Sequence, residues 1–411
     1  CTSQSNPYHT IYPFLKMDIS QLLQSLKSVT SSGRLDVDEQ QRAQLSQACD
    51  QLKGLCESPL EKTIKLLFAG HQAMAIRLGA DLKLFDAIAN RSSEQEGGRF
   101  TVSQIAKDVK ADPKLVGRIM RFLASMEILK QISPDTYSST PFAVAYVSAS
   151  PLSAAVIHFT HFHTIISRLP EYFEQKGWDN PGDVDDAPFQ VAIGAKSRYF
   201  DYLSSKPYYQ NAFNTVMASS YRRGEESWFE FFPVEEKLHV QDPSSVLLVD
   251  VGGCHGKDLQ IFHEKFPSLQ GRLILQDLPH VIETGDIPAG IEAQGYSFFD
   301  EQPIKRAKAY YLRNVLHDWP DKQVVQILSR IREAMSPNSL LLIEEKAMPE
   351  MNVPLMAAIG DMSMMVSFAA AERTKNEYES LLDEAGLVLS GFWKPQGASA
   401  MQPALFEARI R

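Results

Sequence analysis

An apolar run that leads into a glycine-rich turn, residues 247–256, constrains the fold of this chain more than any other segment. Residues 247–251 are apolar apart from Asp250, and Gly252, Gly253 and Gly256 follow them. Such a run is typical of a buried parallel strand. The glycines would let a bound molecule approach the backbone without an intervening side chain. The pattern therefore predicts a strand that ends at a ligand-binding loop.

A second predicted strand, residues 272–277, ends in Asp277 about twenty residues later. That spacing suits a carboxylate that accepts hydrogen bonds from the two hydroxyls of a ribose. Asp277 could instead cap a helix, because Leu278 and Pro279 follow it. From residue 245 onward strands and helices alternate, which predicts an α/β fold with a doubly wound parallel sheet. We therefore expect this half of the chain to bind a nucleoside-containing cofactor beyond the carboxyl ends of the strands.

The glycine spacing excludes the dinucleotide fingerprint G-x-G-x-x-G. It resembles instead the D-x-G-x-G-x-G turn of S-adenosylmethionine-dependent methyltransferases, with Cys254 at the position of the middle glycine. Residues 316–319, with the sequence LHDW, and residues 277–282, DLPHVI, resemble segments of the small-molecule O-methyltransferases typified by plant caffeic acid and fungal polyketide enzymes. The resemblance covers roughly residues 60–411, with the motifs in family order. It implies a Rossmann-like class I methyltransferase domain preceded by a helical, winged-helix dimerisation domain.

The resemblance also implies a cofactor, S-adenosyl-L-methionine, and assigns roles to residues of this chain. The residues expected to contact the cofactor are Gly252, Gly253, Asp277, Ser297, Phe298 and Arg313. His317 is the expected general base, and Glu345 and Glu372 lie where the family carries its two catalytic-site glutamates. Alternatives remain open here too, because Phe298 could belong to the core and Arg313 could be an ordinary surface charge.

Proton transfer from a phenol to His317 is the chemical difficulty that this assignment must explain. A phenol has a pKa near 10 and histidine one near 6.5, so full transfer is uphill by about 3.5 units, or roughly 5 kcal/mol. A carboxylate beside the imidazole narrows that gap because it stabilises the imidazolium and fixes the tautomer. Glu345 and Glu372 are the candidates for this role.

Three residues are predicted to contact a small aromatic or polyketide-derived substrate: His161, Lys346 and Met364. His161 could instead be structural, and Met364 could pack in the core. His158, His161 and His163 are too closely interleaved to indicate a metal site, and we expect none. Lys346 directly follows Glu345, where the family usually has an uncharged residue. It could point to solvent, or donate a hydrogen bond to a substrate carbonyl.

Two enzymatic interpretations follow from these residues, together with one that is not enzymatic. The first is an O-methyltransferase that acts on a phenolic or enolic secondary metabolite. The second is a methyltransferase-fold pericyclase or cyclase, similar to some fungal members, in which Lys346 polarises a carbonyl. Cys254 and Ser297 also depart from the family pattern, whereas His317 conforms to it. The third is a cofactor-binding regulator built on the winged helix.

Composition limits the partners of the chain. A net charge of −9 over 411 residues argues against a nucleic-acid partner. The predicted recognition helix, residues 114–126, carries only Lys114, Arg118 and Arg121 as cations.

No apolar run is long enough for a membrane span. The four cysteines lack metal-ligand spacing and fit a cytoplasmic location. The family resemblance implies a homodimer.

Four segments are predicted. Residues 1–16 are a fragment remnant or a disordered extension without the apolar core of a secretory signal. Residues 17–150 form the helical and winged-helix dimerisation domain, and residues 151–235 are linking helices that line the substrate pocket. Residues 236–411 form the S-adenosylmethionine-binding catalytic domain.

Overall fold

The structure, a computed structural model, describes residues 19–32, 36–94, 98–220, 226–397 and 402–411. The segment 1–16, for which a remnant or an extension was predicted, lies outside these residues. Contacts within the chain define two units, residues 1–69 and 70–411. The bounds predicted from the sequence for the other three segments stay a prediction.

The first unit contains helices that leave their apolar side chains exposed. They are α1 (Ile19–Ser32), α2 (Glu39–Cys56) and the beginning of α3 (Pro59–Asp81). A capping box between Asp38 and Gln41 starts α2. Leu55, Leu66 and Phe68 are all exposed. Helices of this kind gain stability mainly from packing an apolar face against another surface.

The second unit begins with a small helical domain and a three-stranded sheet. Its elements are α4 (Leu84–Glu94), β1 (Arg99–Thr101), α5 (Val102–Asp108), α6 (Pro113–Ser125), β2 (Leu129–Ser133) and β3 (Thr136–Ser139). Thr101 caps α5, and Asp112 caps α6 directly before Pro113, as the sequence predicts. The strands lie in the order β1-β3-β2. The expected succession of helix, turn, helix and hairpin is therefore present.

A run of helices then leads to the large sheet. They are α7 (Pro141–Ala145), α8 (Pro151–Ile166), α9 (Leu169–Lys176), α10 (Pro188–Ile193), α11 (Tyr199–Ser204), α12 (Pro207–Ser220), α13 (Trp228–Phe231) and α14 (Val234–Lys237). The break predicted at residues 180–183 separates α9 from α10. Helices α8, α10 and α11 contribute Phe162, Phe189 and Tyr199 to an aromatic cluster.

Seven strands form the large sheet, and five of them are parallel. In chain order the elements are β4 (Val246–Val251), α15 (Lys257–Lys265), β5 (Arg272–Asp277), α16 (Pro279–Thr284), β6 (Ile291–Gly295), β7 (Ala309–Arg313), α17 (Asp321–Arg332), β8 (Leu340–Lys346), α18 (Leu355–Phe368), α19 (Lys375–Glu384), β9 (Leu387–Trp393) and β10 (Pro403–Ile410). The order is β6-β5-β4-β7-β8-β10-β9, with β10 antiparallel to both neighbours. The doubly wound α/β fold is thus confirmed.

Alternate residues of the central strands face two separate cores. Val249 and Ile343 pack on one face with residues of α17 and α19, whereas Leu248 and Leu342 pack on the other with α13 and α15. This alternation follows from the two-residue period of a strand. Both faces are apolar because helices cover both, and polar side chains are therefore left to the strand ends.

A buried carboxylate ties the last strand to the entry of this domain. Glu407 accepts hydrogen bonds from Lys237 Nζ at 2.7 and 2.9 Å, and from Trp393 Nε1 at 3.2 Å. Burial opposes ionisation of Glu407, but the bonds from Lys237 and Arg409 outweigh it and hold its pKa below the ordinary value. The link joins α14 to β10 and holds the antiparallel part of the sheet in place.

Over the described residues, no helix combines the length and the apolarity needed to cross a membrane.

Candidate active site at the carboxyl edge of the sheet

Most residues that the sequence singles out lie at one edge of the large sheet. Strands β4, β5, β6, β7 and β8 run parallel, so their carboxyl ends meet there. The residues that this edge brings together are Gly252, Gly253, Asp277, Ser297, Phe298, Arg313, His317, Glu345 and Lys346. Glu372, Met364 and His161 belong to other segments, and only the tertiary structure relates them to this edge.

The glycine loop after β4 is fixed to the end of β5 by three backbone amides. Gly252 N and Gly253 N donate to Gln276 O at 2.7 and 3.2 Å, and Cys254 N donates to Asp277 Oδ2 at 2.8 Å. Oδ1 of Asp277 accepts from Leu278 N, and Leu278 rather than Asp277 is the N-cap of α16. The Asp277 carboxylate therefore positions the loop, and each of its oxygens can accept a further hydrogen bond.

Two positions in this loop have no room for a side chain. A Cβ on Gly253 would lie 2.4 Å from Asp250 Oδ2, and a Cβ on Gly252 would lie 2.9 Å from Val315 Cγ2. Gly252 also has φ +79°, which disfavours other residues. Cys254 adopts φ +52° although it is not a glycine, so its N–H can still reach Asp277. The departure from the family pattern at this position leaves the loop conformation intact.

Buried acids lie beneath the glycine loop. Burial, and secondarily the charges of Asp258 and Asp277, raise the pKa of Asp250 well above its ordinary value. Within the described part of the chain, Asp250 Oδ2 has no hydrogen-bond partner. Arg313 lies 3.4 Å from Asp258 and 3.5 Å from Glu344. Arg313 is therefore a largely buried counter-ion, and the alternative of an ordinary surface charge is wrong.

This donor set fits S-adenosylmethionine, whose ammonium and sulfonium groups carry positive charge. An acidic cluster favours both cations, and the Asp250 oxygen without a partner offers an acceptor. Gly252 and Gly253 would allow close backbone approach, and Asp277 would accept from the ribose. These residues would hold the cofactor by charge and shape together.

Phe298 lies beside the glycine loop and also packs on the core. Its Cε1 atom is 4.0 Å from the position of a Cβ on Gly252. Its ring centroid is 5.7 Å from that of Trp319, in an edge-to-face arrangement. The ring of Phe298 therefore packs on Trp319 and also borders the glycine loop, and its contact with the cofactor stays a prediction. Ser297 is half-buried, and its carbonyl accepts from Asp300 N.

Two glutamines that the sequence analysis missed support this segment. Gln276 and Gln302 exchange reciprocal side-chain hydrogen bonds at 2.9 and 2.8 Å, and both are fully buried. Gln302 Oε1 also accepts from Ile304 N at 3.1 Å. A buried amide pair of this kind is costly to break because each group would lose its partner. It fixes the loop after β6, which carries Phe298, to the end of β5. No local sequence pattern indicates this pair, because the two glutamines lie 26 residues apart in the chain.

His317 lies in a 3₁₀ turn (Leu316–Asp318) between β7 and α17, and its imidazole is only 20% exposed. Its Nδ1 atom is 3.2 Å from Glu372 Oε1, and its Nε2 atom is 3.6 Å from Asp318 Oδ1. Pairing with Glu372 places a hydrogen on Nδ1. Nε2 is then the nitrogen that can accept a proton from another molecule.

Glu345 contacts the backbone of this turn rather than the imidazole ring. Its Oε1 atom accepts from Val315 N at 2.9 Å and from Leu316 N at 2.8 Å. The two glutamates expected to steer the base therefore differ in how they act. Glu372 contacts the imidazole, whereas Glu345 fixes the conformation of the turn that carries it.

Carboxylates dominate the electrostatics of His317. Burial disfavours its charged form, but the negative charges of Asp318, Glu345 and Glu372 outweigh burial and raise its pKa to about 10. Burial likewise opposes ionisation of Glu372, yet its hydrogen bond with His317 holds its pKa below the ordinary value. The site therefore favours the pair of imidazolium and carboxylate.

Lys346 ends β8 and is half-buried. Its charge contributes to the lowered pKa of Glu372, so it lies near the pair of His317 and Glu372. Among the described residues, no carboxylate forms an ion pair with it. Glu345, the preceding residue, is bonded through Oε1 to backbone amides and not to Lys346.

Helix α18 connects the base to the aromatic cluster. Asp361 Oδ1 accepts from Glu372 N at 3.0 Å. One turn further along the helix, Met364 and Met365 pack against the cluster that contains Phe162 and Tyr199. Helix α18 thus contacts the segment of Glu372 through Asp361 and the aromatic cluster through Met364.

His161 is buried between two tyrosines near this cluster. Its ring stacks on Tyr209 and Tyr202, with centroid distances of 4.2 and 5.6 Å. Burial, and secondarily the charge of Arg77, lower its pKa, so the ring is neutral near pH 7. As far as the structure describes the chain, His161 Nε2 has no hydrogen-bond partner. The alternative that His161 is a structural histidine with all its hydrogen bonds made is therefore not met at Nε2.

The described residues contain no group of three or more His, Cys, Asp or Glu side chains that could hold a metal.

Sequence profiles match this chain in two places. Residues 178–388 match the O-methyltransferase domain, and residues 64–149 match the O-methyltransferase dimerisation domain. The chain is 35% identical to demethylsterigmatocystin 6-O-methyltransferase of Aspergillus parasiticus over 77% of this chain and 80% of the relative. It is 34% identical to O-methyltransferase mfmE of Annulohypoxylon moriforme over 78% and 79% of the two chains.

Solved structures show the same fold over nearly the whole chain. LepI in complex with S-adenosylmethionine matches with a TM-score of 0.78 and 26% identity, over 96% of this chain and all of LepI. OxaC in complex with sinefungin and meleagrin matches with a TM-score of 0.78 and 25% identity, over 96% and 98%. A pericyclic reaction enzyme is also among the similar structures, at 26% identity. The cofactor is accordingly S-adenosylmethionine, as the sequence predicts.

Replacement of Gly253 by alanine should weaken cofactor binding, because the new Cβ would lie 2.4 Å from Asp250 Oδ2. We expect the Kd of S-adenosylhomocysteine, measured by calorimetry, to rise at least about tenfold, since buried groups shift only at a cost. Gly182→Ala is the matched control, because nothing lies within 4 Å of that added methyl group. Equal affinities of the two variants for S-adenosylhomocysteine would contradict the proposal that the glycine loop contacts the cofactor closely.

Proposed function

The chain belongs to the O-methyltransferase family, and from that membership we propose that it methylates a phenolic or enolic hydroxyl of a flat, polyketide-derived secondary metabolite, with His317 as general base. The observation that carries the proposal is the pairing of His317 Nδ1 with Glu372 Oε1 at 3.2 Å. It leaves Nε2 to accept the substrate proton at the edge where the cofactor residues gather. The similarity to demethylsterigmatocystin 6-O-methyltransferase supports transfer to an oxygen of a small molecule.

The proton balance of the site suits a phenol. The pKa of His317 is raised to about 10 by the surrounding carboxylates, and an unperturbed phenol also has a pKa near 10. The carboxylates therefore narrow the gap of about 3.5 units that would separate a phenol from an unperturbed histidine. When bound, S-adenosylmethionine supplies a methyl group on a cationic sulfur and leaves as neutral S-adenosylhomocysteine. The phenol oxygen forms the new bond to carbon, and its proton remains on His317.

Neutral imidazole must be present before it can accept this proton. At pH 7 a histidine with a pKa of about 10 is largely protonated in the cofactor-free protein. A cation near the imidazole disfavours its charged form. His317 therefore loses its proton more readily when a cationic group occupies the adjacent acidic cluster. The acids beneath the loop and those around His317 thus have different cationic partners. The first group would face the cofactor, and the second faces the imidazolium.

The aromatic side chains support a flat substrate. Tyr202 and Tyr209 stack on His161, and Met364 and Met365 border the same cluster. Aromatic and methionine side chains adapt to planar apolar ligands. The unpartnered Nε2 of His161 would then contact an oxygen of the substrate that is not methylated. Lys346, near Glu372, would be a second polar contact.

A methyltransferase-fold pericyclase is the second candidate. Similarity to a pericyclic reaction enzyme over 95% of this chain favours it, as does Lys346, which lies near the base without an ion-pair partner among the described residues. Such an enzyme would use Lys346 to polarise a carbonyl and would transfer no methyl group.

The proposed homodimer is supported by the match to a dimerisation domain and by exposed apolar residues within it, such as Leu66 and Leu67. Sedimentation equilibrium measures the dimer directly, and a monomer at micromolar concentration would contradict it.

Incubation with methyl-labelled S-adenosylmethionine and a panel of polycyclic phenols tests the function. We expect label to appear on oxygen, and His317→Ala to lower kcat at least about a hundredfold, in keeping with the loss of a general base. His239→Ala, which removes an exposed histidine, should keep full activity. A rearranged product without label would favour the pericyclase instead. Near-normal turnover of His317→Ala would remove it as the base.

Replacement of Glu372 by glutamine should lower the pKa of His317, because it removes one of the charges that raise it. His317 then loses its proton at a lower pH. The midpoint of the rising limb of kcat/KM against pH should therefore move down by at least about one pH unit. Histidine resonances followed by NMR, with His317→Ala for assignment, measure the same shift without substrate. An unchanged midpoint in both experiments would mean that Glu372 does not act on the base.

His161→Phe should keep the aromatic stack and remove only the polar atom. We expect KM for the phenol to rise about tenfold through loss of one buried hydrogen bond, with kcat and the Kd of S-adenosylhomocysteine within about twofold. His163→Phe on the same helix is the control, since His163 is not stacked in this way. An unchanged KM would exclude His161 from the substrate site.

A further inference from the structure

A buried guanidinium holds the turn that carries the proposed base. Arg373 is 2% exposed. Its Nη1 atom donates to Leu316 O at 3.0 Å, and its Nη2 atom donates to Trp319 O at 2.7 Å. These two carbonyls lie on either side of His317 and Asp318 in the chain. The Arg373 side chain therefore binds backbone carbonyls of the turn, whereas Glu345 binds its amides.

The backbone of Arg373 is fixed as well. Met348 N donates to Arg373 O at 2.9 Å, and Met348 and Thr374 form a parallel bridge. Glu372 N, one residue earlier, donates to Asp361 Oδ1 on α18. The two residues 372 and 373 are thus held by the exit of β8 and by α18, independently of the turn that they contact.

We propose that Arg373 is a positioning residue for methyl transfer, which keeps the His317 turn at hydrogen-bonding distance from Glu372. The inference rests on the proposed role of His317. Two neighbouring residues of one extended segment contact the same turn, Glu372 through the imidazole and Arg373 through the backbone. A displacement of the turn relative to residue 373 would therefore also displace His317 from Glu372.

The guanidinium is suited to this task because its planar array of donors reaches several acceptors at once. Arg373 also donates to Asp321 Oδ1 from Nε at 2.9 Å and from Nη2 at 2.7 Å. The Asp321 side chain is 73% exposed, so water screens that ion pair and its contribution is small. The bonds to Leu316 O and Trp319 O are the ones expected to set the geometry. A lysine would supply a single donor nitrogen, which cannot reach both carbonyls in the way that the two guanidinium nitrogens do.

Arg373→Met tests the inference, with Asp321→Asn as the matched control that removes the ion pair and keeps the carbonyl contacts. For Arg373→Met we expect kcat to fall at least about tenfold, as misplaced catalytic groups commonly cause. The Kd of S-adenosylhomocysteine should stay within about twofold, because no cofactor residue is changed. NMR titration should show the pKa of His317 lowered by about one unit or more as the pair with Glu372 loosens. Asp321→Asn should leave all three quantities nearly unchanged.

A purely structural role predicts a different outcome, namely a lower Tm with kcat of the folded protein and the His317 titration unchanged. That result would overturn the inference, as would equal effects of Asp321→Asn and Arg373→Met. If Arg373→Met fails to fold, Arg373→Lys decides, because it keeps the charge but not the fork. It should then lower kcat and the pKa of His317 in the same direction, and wild-type values would refute the inference. An inactive His317→Ala with an unaffected Arg373→Met would reject only the role of Arg373, whereas an active His317→Ala would reject the base itself.

Discussion

The parallel pairing of β4 to β8 is the constraint on which the site depends. Parallel strands align their carboxyl ends, and helices on both faces leave only apolar positions within the sheet. Polar groups that are not needed for folding therefore collect at the edge where the strands stop. The glycine loop, Asp277 and Arg313 occupy this edge directly. The His317 turn follows within a few residues of the end of β7 and is fixed there by a carboxylate from β8.

Two acidic groups with different partners divide the edge. The first, around Asp250 and Asp258, lies beneath the glycine loop and is only partly compensated by Arg313. The second, formed by Asp318, Glu345 and Glu372, surrounds His317 and raises its pKa to about 10. Burial of so many carboxylates is unfavourable unless cations or hydrogen bonds accompany them. A cationic cofactor and an imidazolium are the two partners that this arrangement accommodates. The first group would stabilise the bound cofactor cation, and the second favours proton uptake by His317.

Positioning of the base depends on backbone contacts as much as on side-chain pairing. Glu345 binds the amides at the start of the His317 turn, and Arg373 binds carbonyls on both sides of His317 and Asp318. Glu345 is the second-last residue of β8, whereas Arg373 lies further along the chain, beyond α18. The turn is short and has few hydrogen bonds of its own. Its conformation is consequently set by residues outside it, and this explains why charged side chains are fully buried at these two positions.

The sequence by itself determined the class of fold, the glycine loop and the identity of the candidate base. Local pattern carries these features: alternating strands and helices, glycines where a side chain has no room, and the segment around His317. It did not separate the roles of Glu345 and Glu372, because two carboxylates of one type differ only in what they contact. It missed the pair Gln276 and Gln302 and the function of Arg373, since a buried hydrogen bond between distant segments leaves no local pattern. It also left open whether Arg313 is a surface charge and whether His161 is satisfied. Only the packing of α8, α11 and α12 decided the second question, because burial is a property of the whole assembly of elements and not of a residue and its neighbours in the chain.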